Sequence, residues 1–217
     1  MDPIDRIDGL IKDRHLLTHP FYQRWREGTL PVEAIQEYTR QYYAFESAFP
    51  RLLSAIHTKT EDPVVRQSIL DNLWDEEHGE VNHAELWLRF AEGMGVARDE
   101  VRNAEPNEGT QALMAAYWGL ATDGVPASGI AAMYAYEAQV PEVATEKING
   151  LRDRYGIDDQ RTLAFFTVHS TLDLEHSGAE RDAIRRTTAT EAEADAAVDA
   201  TRQALDAWWG FLDAVNV

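Results

Sequence analysis

The chain contains 217 residues, of which 20 are basic and 38 acidic, so its formal charge is −18. This charge argues against unaided binding to nucleic-acid phosphates, because no cationic surface is available to release their counterions. The absence of cysteine excludes disulfides, thiolate metal sites and cysteine nucleophiles. No stretch approaches the roughly 20 apolar residues that span a bilayer, so we expect a cytoplasmic protein that binds neither nucleic acid nor membrane.

The basic residues are mostly arginines. Only Lys12, Lys59 and Lys147 are lysines, so the other 17 of the 20 are arginines. A surface with this excess of carboxylates suits high salt, where the self-repulsion of a large net charge is screened. The composition therefore predicts a halophilic source.

Apolar residues recur at three- and four-residue spacing almost throughout the chain. This pattern predicts an all-α fold, a compact helix bundle that forms a single domain over residues 1–217. Proline, glycine and capping signals place eight helices: 3–17, a short one opened by Pro20, 31–58 with a kink at Pro50, 63–92 with a bend at Gly79, 108–121, 125–155 with a kink near Pro141, 158–187 and 190–214.

The fourth predicted helix carries ligand-type side chains. Seven residues separate Glu76 from His83, and seven steps of 100° return to within about 20° of the starting direction, so both side chains project from one stripe. Glu80 lies on nearly the same stripe, and Glu80-x-x-His83 is itself a spacing used by metal-binding helix bundles. The choice between Glu76 and Glu80 stays open on geometry alone.

The sixth and seventh predicted helices carry the remaining candidates. His169, Asp173 and His176 stand at i, i+4 and i+7, within an arc of about 60° on an apolar stripe. Glu137 follows a small and aromatic run that is typical of a buried helix. We expect His15, His19, His57 and His78 to be ordinary structural or surface histidines.

Burying carboxylates and imidazoles costs several kcal/mol per ion unless they are paired or bind a metal. A set of three imidazoles and three carboxylates suits two ions of iron or manganese, with carboxylates bridging them. The pattern therefore predicts a dimetal site in the bundle core, and it leaves the identity of the metals open.

At these residues the sequence resembles the haem-oxygenase-like dimetal oxidases, a branch of the TenA and PQQ-synthesis-protein-C fold group. The resemblance implies a haem-oxygenase-like bundle of seven to eight helices, whose ligands follow the order Glu, His, Glu, His, Asp, His. This chain has that order as Glu76, His83, Glu137, His169, Asp173 and His176.

Within this branch, the sequence is most similar to the CADD subgroup (chlamydia protein associating with death domains). That resemblance implies a self-consuming para-aminobenzoate synthase for folate-type cofactors, which uses O2 and a reductant of unknown identity. It implies Tyr22, or else Tyr38, as the source of the aromatic ring and Lys147 as the amino donor. It also implies Trp87 and Tyr136 as radical relay residues.

The chemistry of lysine supports part of this assignment, because a desolvated lysine can lose its proton and act as a nucleophile, whereas a guanidinium cannot. Two other functions stay open: a dimetal oxygenase that acts on an external amine or fatty acid, and a binding protein without catalysis. Related folds fit less well. TenA thiaminases need a cysteine, and the cofactorless PQQ-forming oxidase does not need these carboxylates. A haem oxygenase would use His15 or His19 and leave the six ligand-type residues without a role.

The oligomeric state is not determined by these patterns. The aromatic cluster Trp208-Trp209-Gly210-Phe211 in the last helix is more typical of core packing than of an interface. A homodimer contact at this cluster stays open.

Overall fold

A computed structural model describes residues 2–216, apart from the side chains of Leu174 and Glu175. Over these residues the protein is all-helical, as predicted, with eleven α-helices, one 3₁₀ turn at Leu16–Thr18 and no strand. The helices are α1 (Pro3–Asp13), α2 (Pro20–Glu27), α3 (Val32–Lys59), α4 (Pro63–Glu77), α5 (His83–Gly93), α6 (Arg98–Arg102), α7 (Glu108–Thr122), α8 (Pro126–Glu137), α9 (Val140–Tyr155), α10 (Gln160–Thr187) and α11 (Glu191–Val215). Among the described residues, no helix combines the length and apolar character needed to cross a bilayer.

Several helices begin where the capping signals placed them. The side chains of Asp62, Asn107, Asp159 and Thr190 each accept a hydrogen bond from a backbone N–H in the first turn of α4, α7, α10 and α11. These contacts satisfy N–H groups that have no partner inside the helix. The short helix α6 was not among the predicted elements.

The prediction of one continuous helix over residues 63–92 is wrong. Helix α4 ends at Glu77 and α5 begins at His83. Gly79 lies between them with a φ of +89°, a backbone conformation that favours glycine. The Asn82 side chain then caps α5 by accepting a hydrogen bond from the Glu85 N–H at 3.0 Å. Glu76 and His83 therefore come from two different helices.

The helix predicted over residues 125–155 is also divided. Helix α8 ends at Glu137 and α9 begins at Val140, because Pro141 has no N–H to donate to the carbonyl four residues earlier. Gln139 in the break donates its side-chain N–H to the Ala135 carbonyl at 2.6 Å and accepts from the Leu16 N–H at 2.7 Å. The break leaves Glu137 as the last residue of α8.

The first helix ends earlier than predicted, at Asp13 rather than near residue 17. His15 and His19 then cap the 3₁₀ turn and α2, since their Nδ1 atoms accept hydrogen bonds from the Leu17 and Phe21 N–H groups at 3.2 and 3.1 Å. The other ring nitrogen of His19 contacts Asp213 at 3.1 Å. Both histidines thus have structural roles, as expected for them.

The centre of the bundle is α8, in which every residue from Ala127 to Glu137 is buried. It packs chiefly against α10 and α11, while α3 packs against α4, α5 and α7. Trp208 of the C-terminal aromatic cluster lies in this core, stacked on Tyr136 with ring centres 4.5 Å apart. The candidate ligands come from α4, α5, α8 and α10, and α10 contacts each of the other three helices.

Candidate metal centre

Three of the six predicted ligands form a first group: Glu76 at the end of α4, His83 at the start of α5 and His169 in α10. One donor atom from each residue lies within 4.8 Å of the others. The Nδ1 atom of His83 is 2.8 Å from a carboxylate oxygen of Glu76, but the contact does not have hydrogen-bond geometry. Donor atoms that lie close together without bonding to one another are arranged as ligands of a common cation would be.

The other three predicted ligands form a second group: Glu137 at the end of α8, with Asp173 and His176 in α10. Their donor atoms also lie within 4.8 Å of one another. The Asn72 side chain donates hydrogen bonds to both carboxylate oxygens of Glu137, at 3.0 and 3.2 Å. His176 contacts Asp75 through Nε2 at 3.1 Å. These neighbours hold the donors in place, as residues surrounding metal ligands commonly do.

A narrow cavity of about 10 Å³, called here the inner cavity, joins the two groups. It is lined by members of both, including Glu76 and His169 from the first and Glu137 and Asp173 from the second. The two groups therefore face one shared space rather than separate parts of the bundle.

The donor set fits a pair of metal ions. All six side chains are at most 8% exposed, and His83 Nδ1, Asp173 Oδ2 and His176 Nδ1 are buried without a hydrogen-bond partner. Buried polar atoms without partners are costly and rare in proteins. A cation bound by them would remove that cost, and the mixture of imidazoles and carboxylates suits iron or manganese.

The protonation of His169 suits a ligand role. Its Nδ1–H donates to the Phe165 carbonyl at 2.8 Å, which leaves Nε2 with a free lone pair. Burial, with the nearby His83, lowers the pKa of His169 to about 4. The imidazole is therefore neutral near pH 7, as a metal ligand must be.

The structure distinguishes between the two carboxylates that geometry left open. Glu76 is buried beside His83, whereas Glu80 lies in the exposed segment between α4 and α5. His78 in the same segment is exposed and stacks on Trp74 with ring centres 3.9 Å apart. Only Glu76 is placed to act with His83.

Two buried carboxyl groups beside these ligands were missed from the sequence. Glu46 of α3 lines the inner cavity, and burial together with the neighbouring Glu76 raises its pKa. Glu180 of α10 hydrogen bonds to Glu137, and burial and this carboxylate raise its pKa. Each has one side-chain oxygen without a hydrogen-bond partner. The spacing of Glu180, four residues after His176 on the same stripe, was the signal that could have found it.

Tyr22, Tyr38 and Lys147 also come together, as a tyrosine–lysine cluster between α2, α3 and α9. The Lys147 Nζ donates to the Tyr38 hydroxyl at 2.6 Å and lies 5.5 Å from the centre of the Tyr22 ring. Burial lowers the pKa of Lys147 to about 7, although the negative charge of Glu46 opposes the shift. Burial raises the pKa of Tyr22 and of Tyr38. A substantial fraction of Lys147 is therefore neutral and nucleophilic near pH 7.

Trp87 packs on Tyr38 of this cluster, and Tyr136 lines the inner cavity. Tyr42, which was not predicted, contacts both Trp87 and Tyr136. The Tyr42 ring is 4.1 Å from Trp87 and 5.5 Å from Tyr38, measured between ring centres. The Tyr42 and Tyr136 hydroxyls are hydrogen bonded to each other, and both residues line the inner cavity. Contacting aromatic rings therefore run from the tyrosine–lysine cluster to the cavity that the two groups share.

Comparison with known families identifies the relatives of this chain. The model of a family described as iron-containing redox enzymes matches residues 36–209. The chain is 38% identical over 213 residues to a 4-aminobenzoate synthase of Chlamydia muridarum, covering 98% of this chain and 89% of the relative. It is 39% identical over 220 residues to a 4-aminobenzoate synthase of Nitrosomonas europaea, covering 97% of this chain and 89% of the relative.

Among solved structures, the fold is similar to that of a TenA homologue from Pseudomonas syringae, with a TM-score of 0.84. That similarity covers 98% of this chain and 90% of the other at 18% sequence identity. At this identity the likeness concerns the fold alone, and it agrees with the predicted fold group.

Proposed function

Since this chain belongs to the family of iron-containing redox enzymes, we propose that it is a self-consuming synthase of 4-aminobenzoate, which would serve folate-type cofactors. The 4-aminobenzoate synthases that share 38–39% of its sequence support this product. The observation that carries the proposal is the placement of a buried lysine against two buried tyrosines, connected by aromatic rings to two groups of metal-type ligands.

The two groups would hold two metal ions, iron or manganese. Glu76, His83 and His169 would bind one ion, and Glu137, Asp173 and His176 the other. When bound, the pair would supply the activation of O2 with electrons from an external reductant. The protein's own contribution is to hold six donors in a dry core and to balance the charge of the ions with three carboxylates.

Lys147 would supply the nitrogen and Tyr22 the aromatic ring, with Tyr38 as the alternative ring. Burial keeps part of the lysine population neutral near pH 7, so its lone pair is available for bond formation. The hydrogen bond from Nζ to the Tyr38 hydroxyl fixes the position of the amine. Because both groups belong to the chain, each molecule would form product once.

Trp87 and Tyr136 would carry oxidising equivalents between the metal pair and the tyrosines. This role is supported by the contacts of both residues with Tyr42. The Tyr42 ring centre lies 4.1 Å from that of Trp87, and the Tyr42 hydroxyl is hydrogen bonded to the Tyr136 hydroxyl. All three side chains are at most 9% exposed, which protects a reactive species on them from water.

The direct test is substitution of the ring source. Tyr22→Phe should abolish release of 4-aminobenzoate while the metal content of the purified protein is unchanged, because Tyr22 is not among the metal-type ligands. The yield is measured by mass spectrometry after the iron- or manganese-loaded protein is reduced and given O2. In the unsubstituted protein, the same spectra should locate a loss of mass at Tyr22 and Lys147.

Tyr155→Phe is the matched control, since Tyr155 is a half-buried tyrosine whose hydroxyl donates to the Leu30 carbonyl at 3.0 Å. This variant should keep the normal yield. Normal yield from both Tyr22→Phe and Tyr38→Phe would overturn the self-consuming reaction. O2 uptake without 4-aminobenzoate would instead favour an external substrate.

A further inference from the structure

A second cavity, called here the outer cavity, lies beside the second group between α3, α4, α8 and α10. Its volume is about 190 Å³, which is room for a molecule of roughly the size of benzene. None of its lining residues belongs to the tyrosine–lysine cluster, so it is a separate place in the bundle.

The wall of the outer cavity is apolar. It consists of aliphatic side chains from α3, α4 and α8, chiefly Leu53, Ile56, Ile69, Ile130 and Met133. Such a wall favours the apolar body of an organic molecule.

The buried end of the cavity carries hydrogen-bond acceptors. Asn72 is 4% exposed and Glu180 is 8% exposed, and Asn72 Oδ1 and Glu180 Oε2 have no hydrogen-bond partner. His176 of the second group lines the same end. Two buried oxygen atoms without donors call for a ligand that brings N–H groups to them.

The mouth of the cavity is acidic. Asp71 and Asp75 are exposed side chains that line it, and no described lining residue is a lysine or an arginine. Carboxylates at the mouth attract a cation and repel an anion. The carboxylate of a fatty acid or of another carboxylic acid would therefore be repelled at the mouth of the cavity.

We propose that the outer cavity is a binding site for a small primary amine with a short apolar body. The amine nitrogen would lie at Glu180 and Asn72, and the apolar body would lie against Leu53, Ile56 and Ile69. The site goes beyond the proposed self-consuming reaction, which takes both its ring and its nitrogen from the chain itself. It places an external amine directly beside the second group.

The test is calorimetric titration of the metal-loaded protein with n-butylamine, butan-1-ol and butyrate, three probes of similar size. We expect n-butylamine to bind at least about tenfold more tightly than butyrate, with butan-1-ol between them. Added salt should weaken the binding of the amine but not that of the alcohol, because only the amine is attracted by charge. Equal or tighter binding of butyrate would overturn the proposal.

A variant in the lining connects the binding to this cavity. Ala179→Leu places a larger side chain in its lining and should weaken the binding of the amine at least about tenfold, with unchanged metal content. Amine affinity that is unaffected by Ala179→Leu would show binding elsewhere, for example directly to a metal ion, and would contradict the assignment.

A substitution at the surface tests the binding of the amine without altering the packing of the core. Asp71→Asn at the mouth should weaken the binding of n-butylamine at low salt, whereas Asp153→Asn, an exposed aspartate of α9 outside the cavity, should leave it unchanged. Equal effects of the two variants would mean that net charge alone attracts the amine, and would overturn the site.

Discussion

Glu76, His83 and His169 lie as deep in the bundle as Tyr38 and Lys147, but the two regions satisfy their polar atoms in different ways. In the tyrosine–lysine cluster, the amine donates to a hydroxyl and is surrounded by aromatic rings. In the two groups of metal-type ligands, three donor atoms on His83, Asp173 and His176 have no hydrogen-bond partner.

The difference separates two uses of burial. In the cluster, burial favours the neutral forms, since it lowers the pKa of Lys147 and raises that of Tyr38. In the two groups, carboxylates and imidazoles lie together and some of their polar atoms have no hydrogen-bond partner, an arrangement that a bound cation would stabilise. The same bundle thus holds a buried lysine against tyrosines in one region and metal-type ligands around the inner cavity in another.

The largest expected effect comes from removing a donor of the first group. Glu76→Gln should lower the metal content below about two ions per chain and weaken metal binding at least about tenfold, because an amide does not replace a carboxylate charge. The content is measured by elemental analysis of the purified protein. Glu80→Gln is the matched control, and it should keep its metals because Glu80 is exposed. Equal loss of metal from both variants would contradict the assignment of Glu76, rather than Glu80, as the metal ligand.

The next effect concerns the charge of Lys147. Its pKa is about 7 in the folded protein against an ordinary value of 10.5. Between these values the unfolded chain holds a proton that the folded chain lacks, so this group makes stability rise with pH from about 7 to 10.5. Lys147→Met should remove that rise.

The measurement is urea unfolding of the two proteins at several pH values. The free energy of unfolding of the unsubstituted protein, relative to that of Lys147→Met, should increase by at most about 1.4 kcal/mol per pH unit across this window. It should be constant below pH 7. Parallel pH profiles for the two proteins would show that Lys147 stays protonated in the core.

A smaller effect tests the packing behind the tyrosine–lysine cluster. A Cβ atom on Gly150 of α9 would lie 2.5 Å from Cδ1 of Trp25, whose ring packs on Tyr38 and whose N–H faces the Lys147 carbonyl. Gly150→Ala should therefore destabilise the protein by about 1–3 kcal/mol. The free energy of unfolding in urea measures the change.

Gly178→Ala is the control and the smallest effect. A Cβ atom there meets nothing within 4 Å, and the residue is exposed within α10. Alanine should stabilise the helix by up to about 1 kcal/mol, because glycine is the weaker helix former. If Gly150→Ala were as well tolerated as Gly178→Ala, the close packing of α9 on Trp25 would not hold.

Helical spacing correctly explains why the ligand-type residues of α10 lie together, but it does not explain why Glu76 and His83 do. His169, Asp173 and His176 do lie on one continuous helix, α10, so helical spacing predicted their common direction correctly. Glu76 and His83 were placed on one stripe of one helix, but the chain breaks between them. They meet across the break that contains Gly79, which helical periodicity does not describe.

The sequence by itself determined the helical fold and the starts of most helices, because these depend on local spacing, proline and capping groups. It also excluded thiol chemistry, because the chain has no cysteine. Only the tertiary structure decided that Glu46 and Glu180 are buried, that Glu80 is exposed and that Lys147 donates to Tyr38. Each of these depends on which side chains of other helices exclude water from the group. Burial of a charged residue is a property of its neighbours in space, and in this bundle those neighbours are distant in sequence.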